Sequence, residues 1–320
     1  MTSQTVAEAG ERAVLAEILA RIPVGAALLG PGDDAAVVAA ADGRFAVTVD
    51  TMIEGPDFRT EWSTPQQLGR KAITTNLSDI AAMGAVPSGL VIALAVPNDT
   101  AVEWVTGFAD GLAAELTELA PGCGIVGGDL GTAAVIMISV TAFGDLQGRQ
   151  PVTRSGARSG DQIAIAGTLG MAAAGLHELF AGASPDNGSE FIARQLAPQS
   201  PIAAGPAAAV GGATAMMDLS DGLLLDADRL AGASGVALHF ATELLRPDLA
   251  RLEPRFGAEL ARRFVLGGGE DHSLLATFPA DAVLPTEFRR IGTVVAGSGV
   301  AVDGQQADPA GWDPFVGVAE

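Results

Sequence analysis

Six short segments each set acidic side chains in a Gly- or Ser-lined turn beside an apolar run: Gly32-Asp33-Asp34, Val49-Asp50-Thr51, Leu77-Ser78-Asp79, Gly127-Gly128-Asp129, Asp218-Leu219-Ser220-Asp221-Gly222 and Gly268-Gly269-Glu270-Asp271. None carries a neighbouring Lys or Arg to neutralise it. A fold that gathers these ends must offset the repulsion between carboxylates. Hard oxygen ligands without Cys or His favour Mg²⁺, Mn²⁺ or Ca²⁺ over zinc or copper. The chain is therefore expected to work on phosphate through metal ions.

With 320 residues, 48% of them hydrophobic, the chain is long enough for a full core and is expected to form two domains. The single Cys123 excludes an intrachain disulfide, and the first residues show neither a basic nor an apolar leader segment, so a reducing cytoplasm is the expected compartment. No membrane span is expected, because the apolar stretch 133–143 is too short and 201–217 is interrupted by Pro and Gly. A net charge of −20 has the wrong sign for a nucleic-acid backbone as partner. Lys71 is the one lysine and no G-x-x-x-x-G-K-[ST] occurs, which excludes a P-loop; the protein-kinase signatures are absent as well.

Hydrophobic spacing predicts a helix over 8–22, a buried strand from Phe45 to Val49 ending at Asp50, and a helix from Pro65 to a stop at Gly84 with Asp79 in its last turns. Strand 89–96, helix 100–120 and strands near 123–127 and 133–143 complete a β-α-β-α-β-β block. The aperiodic stretch 144–160 marks the boundary, placing an N-terminal domain at 1–150 and a C-terminal one at 151–320. Beyond it the pattern predicts strands 162–166, 214–218, 236–240, 273–278 and 290–296 and helices 169–181, 203–212, 221–233 and 256–265, with a polar loop at 182–189.

Taken singly, each acidic segment competes with an ordinary capping turn. Asp79 stands out, because the C-terminal end of a helix is unfavourable for a negative charge. Asp218, Ser220 and Asp221 just before a helix would let its first amides meet a phosphate while the acids hold a metal. Arg154 in Thr-Arg-Ser-Gly suits a phosphate clamp, and Trp312 suits either a hydrophobic plug or a stacking surface for an aromatic ligand. His177 and His239 read as structural, whereas His272 adjoins Glu270-Asp271. No Ser-His-Asp or Cys-His arrangement is evident.

The ordered set Gly30–Ala36, Val47–Gly55, Gly69–Ala85, Gly127-Gly128-Asp129, Thr153–Asp161, Met217–Leu223 and Gly-Gly-Glu-Asp at 268–271 closely resembles the thiamine-monophosphate kinase family, over about Gly30 to Trp312. That family belongs to the superfamily of aminoimidazole-ribonucleotide synthetase, whose members use ATP without a P-loop. The resemblance implies an α+β fold of two domains, an N-terminal ATP- and metal-binding domain that pairs strands across a homodimer and a C-terminal α/β domain that completes the active site. It implies Mg²⁺-assisted in-line transfer of the γ-phosphoryl of ATP to thiamine monophosphate, giving thiamine diphosphate, with no catalytic side chain in the transfer itself. By motif position, Asp34, Thr48, Val49, Asp50, Asp79, Asp129, Asp218 and Asp221 would hold several Mg²⁺ ions. Gly128, Asp129, Arg154 and Ser220 would contact ATP, and Asp57, Glu270 and Trp312 would meet the acceptor.

Three positions depart from the family pattern. Asp57 stands where a substrate-binding His is usual, Val49 replaces a frequent Thr, and His272 replaces the usual Tyr. Two other readings stay open at this point: another ATP-dependent member of the superfamily, and a non-catalytic protein that senses nucleotide or metal.

Overall fold

The computed structural model describes residues 4–31, 35–313 and 317–318. Two units result, one comprising the residues up to Ile80 together with Val86–Gly148, the other Ala81–Ala85 together with Arg149 onward. Asp33 and Asp34 lie outside the described residues.

In the first unit, Gly10 at φ 77 divides the expected 8–22 helix into α1 (Val6–Ala9) and α2 (Glu11–Leu19). Then come β1 (Ala46–Ile53), α3 (Pro65–Ala82), β2 (Val86–Val96), α4 (Val102–Leu119), β3 (Ile125–Thr132) and β4 (Met137–Asp145). The sheet order is β1-β4-β2-β3, with β2 and β3 parallel and the other pairs antiparallel. The anticipated β-α-β-α-β-β succession is present, but two local expectations change. β1 continues past Asp50, because its ladder with β4 runs on to Ile53 opposite Met137, and its outward side chains are exposed rather than buried. Gly127-Gly128-Asp129 lies inside β3 rather than in a turn, since the parallel ladder with β2 carries from Val91 opposite Gly127 to Val96 opposite Thr132. β2 is an inner strand; the edges are β1 and β3.

One sheet face is covered. Ile138, Val140 and Ala142 of β4 and Leu90, Ile92 and Leu94 of β2 are all buried, in register with Thr48, Asp50 and Met52 of β1. α3 is tied to that face by two polar contacts: the Thr48 hydroxyl donates to Asp79 Oδ2 at 2.7 Å, and the Asp50 N–H donates to Asn76 Oδ1 at 3.2 Å. The opposite face is open, with Val47, Val49, Ile53 and Met137 exposed. α3 and α4 touch backbone to backbone. A Cβ at Gly111 would sit 2.1 Å from the Gln66 carbonyl oxygen, and one at Gly69 would sit 2.3 Å from that of Phe108. The buried Glu115 joins the same pair of helices, accepting from the Thr74 hydroxyl at 2.9 Å and from Arg70 at 2.6 Å.

The second unit contains β5 (Gln162–Ala166), α5 (Met171–Phe180), α6 (Glu190–Leu196), α7 (Ala204–Val210), β6 (Ala215–Leu219), α8 (Leu223–Ser234), β7 (Ala237–Phe240), α9 (Arg246–Gly267), β8 (Ser273–Phe278), β9 (Phe288–Val295), β10 (Gly299–Val302) and β11 (Gln305–Ala307). A strand pair, β12 (Trp312–Asp313) and β13 (Gly317–Val318), follows. Seven strands form one sheet in the order β11-β10-β7-β9-β5-β8-β6. β5, β6 and β8 are buried at every position, which is why they read as unbroken apolar runs. Two helices exceed or escape the expectation. α9 starts at Arg246 rather than 256, because Pro254 and the non-helical Gly257 interrupt its apolar spacing. α6 was not anticipated, being only seven residues long, though Ser189 caps it and it buries Phe191, Ile192, Gln195 and Leu196.

Since an added side chain at Gly111 has only backbone to push against, Gly111→Val should destabilise the first unit by about 1–3 kcal/mol or more. Gly131→Ala, with no atom within 4 Å of the new Cβ, provides the control. Urea titration followed by circular dichroism measures both.

Candidate active site

In the second unit the antiparallel pairing of β6 with β8, Asp218 opposite Leu274 and Leu219 opposite Ser273, sets the end of one strand against the start of the other. Two acidic segments far apart in sequence are thereby adjacent. The Glu270 N–H donates to the Ser220 carbonyl at 2.8 Å and the His272 N–H to that of Leu219 at 3.1 Å. The Trp312 N–H donates to the Asp221 carbonyl at 2.9 Å. A Cβ at Gly269 would stand 2.5 Å from the Ser220 oxygen, so the close crossing of these loops requires glycine there. Glu270 and His272 both adopt left-handed backbone, φ 67 and φ 50, costly for residues of their type.

The side chains divide into engaged and outward groups. Asp218 is buried, with His272 Nδ1 3.5 Å from its Oδ2. Asp221 pairs with Arg229 at 2.5 Å, and Arg229 also reaches Asp226 at 2.7 Å. The acidic loop is thus neutralised by an arginine two turns along α8, a partner that sequence adjacency could not reveal. Asp226, fully buried, accepts from the N–H groups of Asp221 at 2.9 Å and Gly222 at 3.1 Å. These two amides, expected to face a phosphate, are therefore taken. Burial, with the charges of Asp221 and Asp218, pushes the Asp226 carboxyl up to about 6, while the Asp221 amide and Arg229 oppose the shift. Trp312 remains 43% exposed and Glu270 receives the Gln195 amide. Ser220 is half-buried, and Arg154 is exposed, its carbonyl accepting from the Ser234 hydroxyl at 2.7 Å.

Asp271, next to Glu270, plays a different part. It is buried at the start of α5, accepting from the Gly170 N–H at 2.6 Å, the Ala172 N–H at 3.3 Å and the Thr168 hydroxyl at 3.2 Å. It anchors the glycine loop to the rest of the unit. Burial pushes its carboxyl up to about 7 against those donors and Arg194. Cys123, buried in the other unit, has its thiol pushed up to about 12 by the same effect and is not a nucleophile.

In the first unit Thr48, Asp50 and Asp79 share the covered sheet face. Asp129 does not join them. It stands in register with Ala93, Ser139 and Thr51, on the open face and three strands away, about 14 Å at ordinary strand spacing. Val49 points its side chain to the open face, which leaves only its backbone as a ligand. Asp57 closes its own turn: the Ile53 N–H donates to its Oδ2 at 2.7 Å, and its own N–H donates to the Ile53 carbonyl at 3.1 Å. Among the described residues no three Asp, Glu, His or Cys side chains form a cage for one ion. Mg²⁺ ordinarily takes one or two carboxylates, with water and substrate phosphate completing its shell, and pairs of hard oxygens without thiolate suit that mode.

Residues 32–146 match the family model for the N-terminal domain of AIR synthase related proteins, and residues 158–305 the model for their C-terminal domain. A thiamine-monophosphate kinase of Mycobacterium tuberculosis is 42% identical over 319 residues, 98% of this chain and 94% of that protein. The solved thiamine-monophosphate kinase from Stenotrophomonas maltophilia superposes with a TM-score of 0.79 at 33% identity, covering 92% of this chain and 95% of that one. AaThiL complexed with AMPPCP and TMP gives a TM-score of 0.77 at 32% identity over 98% of this chain and 99% of that one.

The raised pKa of Asp271 makes the protonated form the one that folding favours. Its contribution to stability is full below the unfolded value near 4 and fades as pH rises through about 7. Between pH 5 and pH 8 the parent chain should therefore lose about 5 °C more in Tm than Asp271→Asn, as read by scanning calorimetry.

Proposed function

The chain belongs to the thiamine-monophosphate kinase family of AIR synthase related proteins, and from that premise we propose that it transfers the γ-phosphoryl group of ATP to thiamine monophosphate, yielding thiamine diphosphate and ADP. The observation that carries this reading is the main-chain linkage of Ser220 to Glu270 and of Asp221 to Trp312, which sets phosphate-handling oxygens beside an exposed indole and a carboxylate suited to a cationic heteroaromatic ring.

The acceptor is a phosphate monoester with a second pKa of about 6, so at neutral pH its oxygen is already a competent nucleophile and no general base is needed. Positioning and charge balance remain for the protein to supply. Asp50 and Asp79 with Thr48, and Asp218 and Asp221, are the groups we assign to Mg²⁺; bound ions would offset the repulsion between two polyanions. Asp34 is assigned with them by motif, and Val49 through its carbonyl alone. Asp129 and Gly128 are assigned to the nucleotide, Asp129 at a separate point because its side chain lies on the face of the sheet opposite that of Asp50. Ser220 and the exposed Arg154 are assigned to ATP as well, and Glu270 and Trp312 to the acceptor. Asp57 holds its turn and shapes the end of β1 rather than replacing a phosphate donor.

The open, apolar face of the first unit supports a homodimer, since Val47, Val49, Ile53 and Met137 would otherwise stand in water on an edge strand and its neighbour. A second copy of this chain is the occupant we assign to it. A single buried cysteine and the absence, among the described residues, of a helix long and apolar enough to cross a membrane accord with a cytoplasmic enzyme.

Conversion of thiamine monophosphate by purified protein with Mg²⁺ and ATP tests the reaction. Turnover should vanish on chelation and fall by about 100-fold or more in Asp79→Asn at limiting Mg²⁺, with partial recovery at high Mg²⁺. Acceptor-independent ATP hydrolysis, or another product, would instead favour a different member of the superfamily. Light scattering should give twice the chain mass for the parent and the monomer mass for Val47→Asp; a monomeric, fully active parent refutes the dimer.

A further inference from the structure

We infer that Gln195 is a specificity-determining residue that selects the acceptor by its one N–H donor, the exocyclic amine of its pyrimidine. The inference rests on the assignment of Glu270 and Trp312 to the acceptor site. Gln195 lies on α6 and is only 5% exposed. Its Nε2 donates to Glu270 Oε2. That bond fixes which way the amide faces, because the reverse orientation would press a carbonyl oxygen against a carboxylate. The remaining atom, Oε1, is shielded from solvent and has no hydrogen-bond partner among the described residues.

A buried amide oxygen left without a donor has lost its hydration without replacement, a cost that a ligand donor would remove. The chemistry of thiamine monophosphate leaves little choice of donor. At neutral pH its phosphate is mostly dianionic and accepts, its pyrimidine ring nitrogens accept, and its thiazolium carries no N–H. The amine alone donates, and it has two hydrogens. Gln195 Oε1 and the Glu270 carboxylate, linked through Gln195 Nε2, would offer two acceptors, a match for one –NH₂ group and a mismatch for a carbonyl in its place. Glu270 is held for this role by its own N–H on Ser220.

The test compares thiamine monophosphate with its 4′-oxo analogue, in which a carbonyl oxygen replaces the amine. Steady-state kcat/KM is measured for both acceptors in the parent, Gln195→Met and Gln195→Leu, with the KM for ATP as internal control and calorimetric melts to confirm folding. The parent should prefer the amine by about 100-fold or more, and both variants should bring that ratio within about tenfold by losing activity toward the amine. Parallel losses toward both acceptors would reduce Gln195 to a support for Glu270 and overturn the inference, as would an unchanged ratio. Titration calorimetry of the parent alone gives a second check: equal affinity for the two acceptors overturns it whether or not a variant folds. Trp312→Ala separates this inference from the reading beneath it. A raised acceptor KM in Trp312→Ala together with an unchanged ratio in the Gln195 variants retains the acceptor site and removes Gln195 from it. An acceptor KM untouched by Trp312→Ala removes the site assignment itself.

Discussion

The pairing of β6 with β8 is the constraint on which the candidate site depends. Because the two strands run antiparallel and in register at Asp218 and Leu274, the chain leaving β6 and the chain entering β8 must share one end of the sheet. Two backbone hydrogen bonds, from His272 to Leu219 and from Glu270 to Ser220, continue the ladder into the loops, and a third, from Trp312 to Asp221, adds the C-terminal segment. Side chains separated by some fifty residues, Asp221 and Glu270, are held by main-chain geometry that depends on Gly269 at the crossing rather than on side-chain contacts. Rigid backbone placement of this kind holds functional groups close to a working geometry without reorganisation during a reaction.

Around that ladder, charge is managed by burial and pairing in unequal measure. Arg229 serves Asp221 and Asp226 together, Asp271 takes the amides at the start of α5, and Asp248 accepts from the Leu169 N–H and from Arg289. Desolvation raises the carboxyl pKa of Asp226, Asp248 and Asp271 alike, so partners do not fully offset it. The unit thus carries carboxylates under tension in its interior, while Ser220, Glu270 and Trp312 keep contact with its surface.

Much of the architecture was legible because periodicity reports burial. β5 and β8 fall at 162–166 and 273–278, where apolar runs were unbroken, and the order of elements in the first unit follows the pattern of apolar faces. What escaped were features set by distant partners. Asp50 and Asp129 looked like strand-terminal turns because nothing local announces how far a neighbouring strand extends a ladder. α6 was too short for its spacing to show, and with it went Gln195 and Arg194. Arg229 and Asp226 are ordinary residues in an ordinary helix until the fold turns them toward Asp221. Asp57 resembles a substituted ligand by position, and the fold gives its carboxylate a local use as well, accepting from the Ile53 N–H four residues earlier, which nothing in its immediate sequence announces.

The left-handed backbone at Glu270 has an evolutionary consequence. Glycine would adopt that conformation at lower cost, by about 1 kcal/mol, but would leave the buried Gln195 Nε2 without its acceptor, a loss of similar or larger size. Position 270 is therefore a place where backbone strain and side-chain bonding oppose each other. Laboratory evolution for heat tolerance alone, with no demand on turnover, would be expected to keep a hydrogen-bond acceptor side chain here unless Gln195 changed with it, so that replacements at 195 and 270 should appear together.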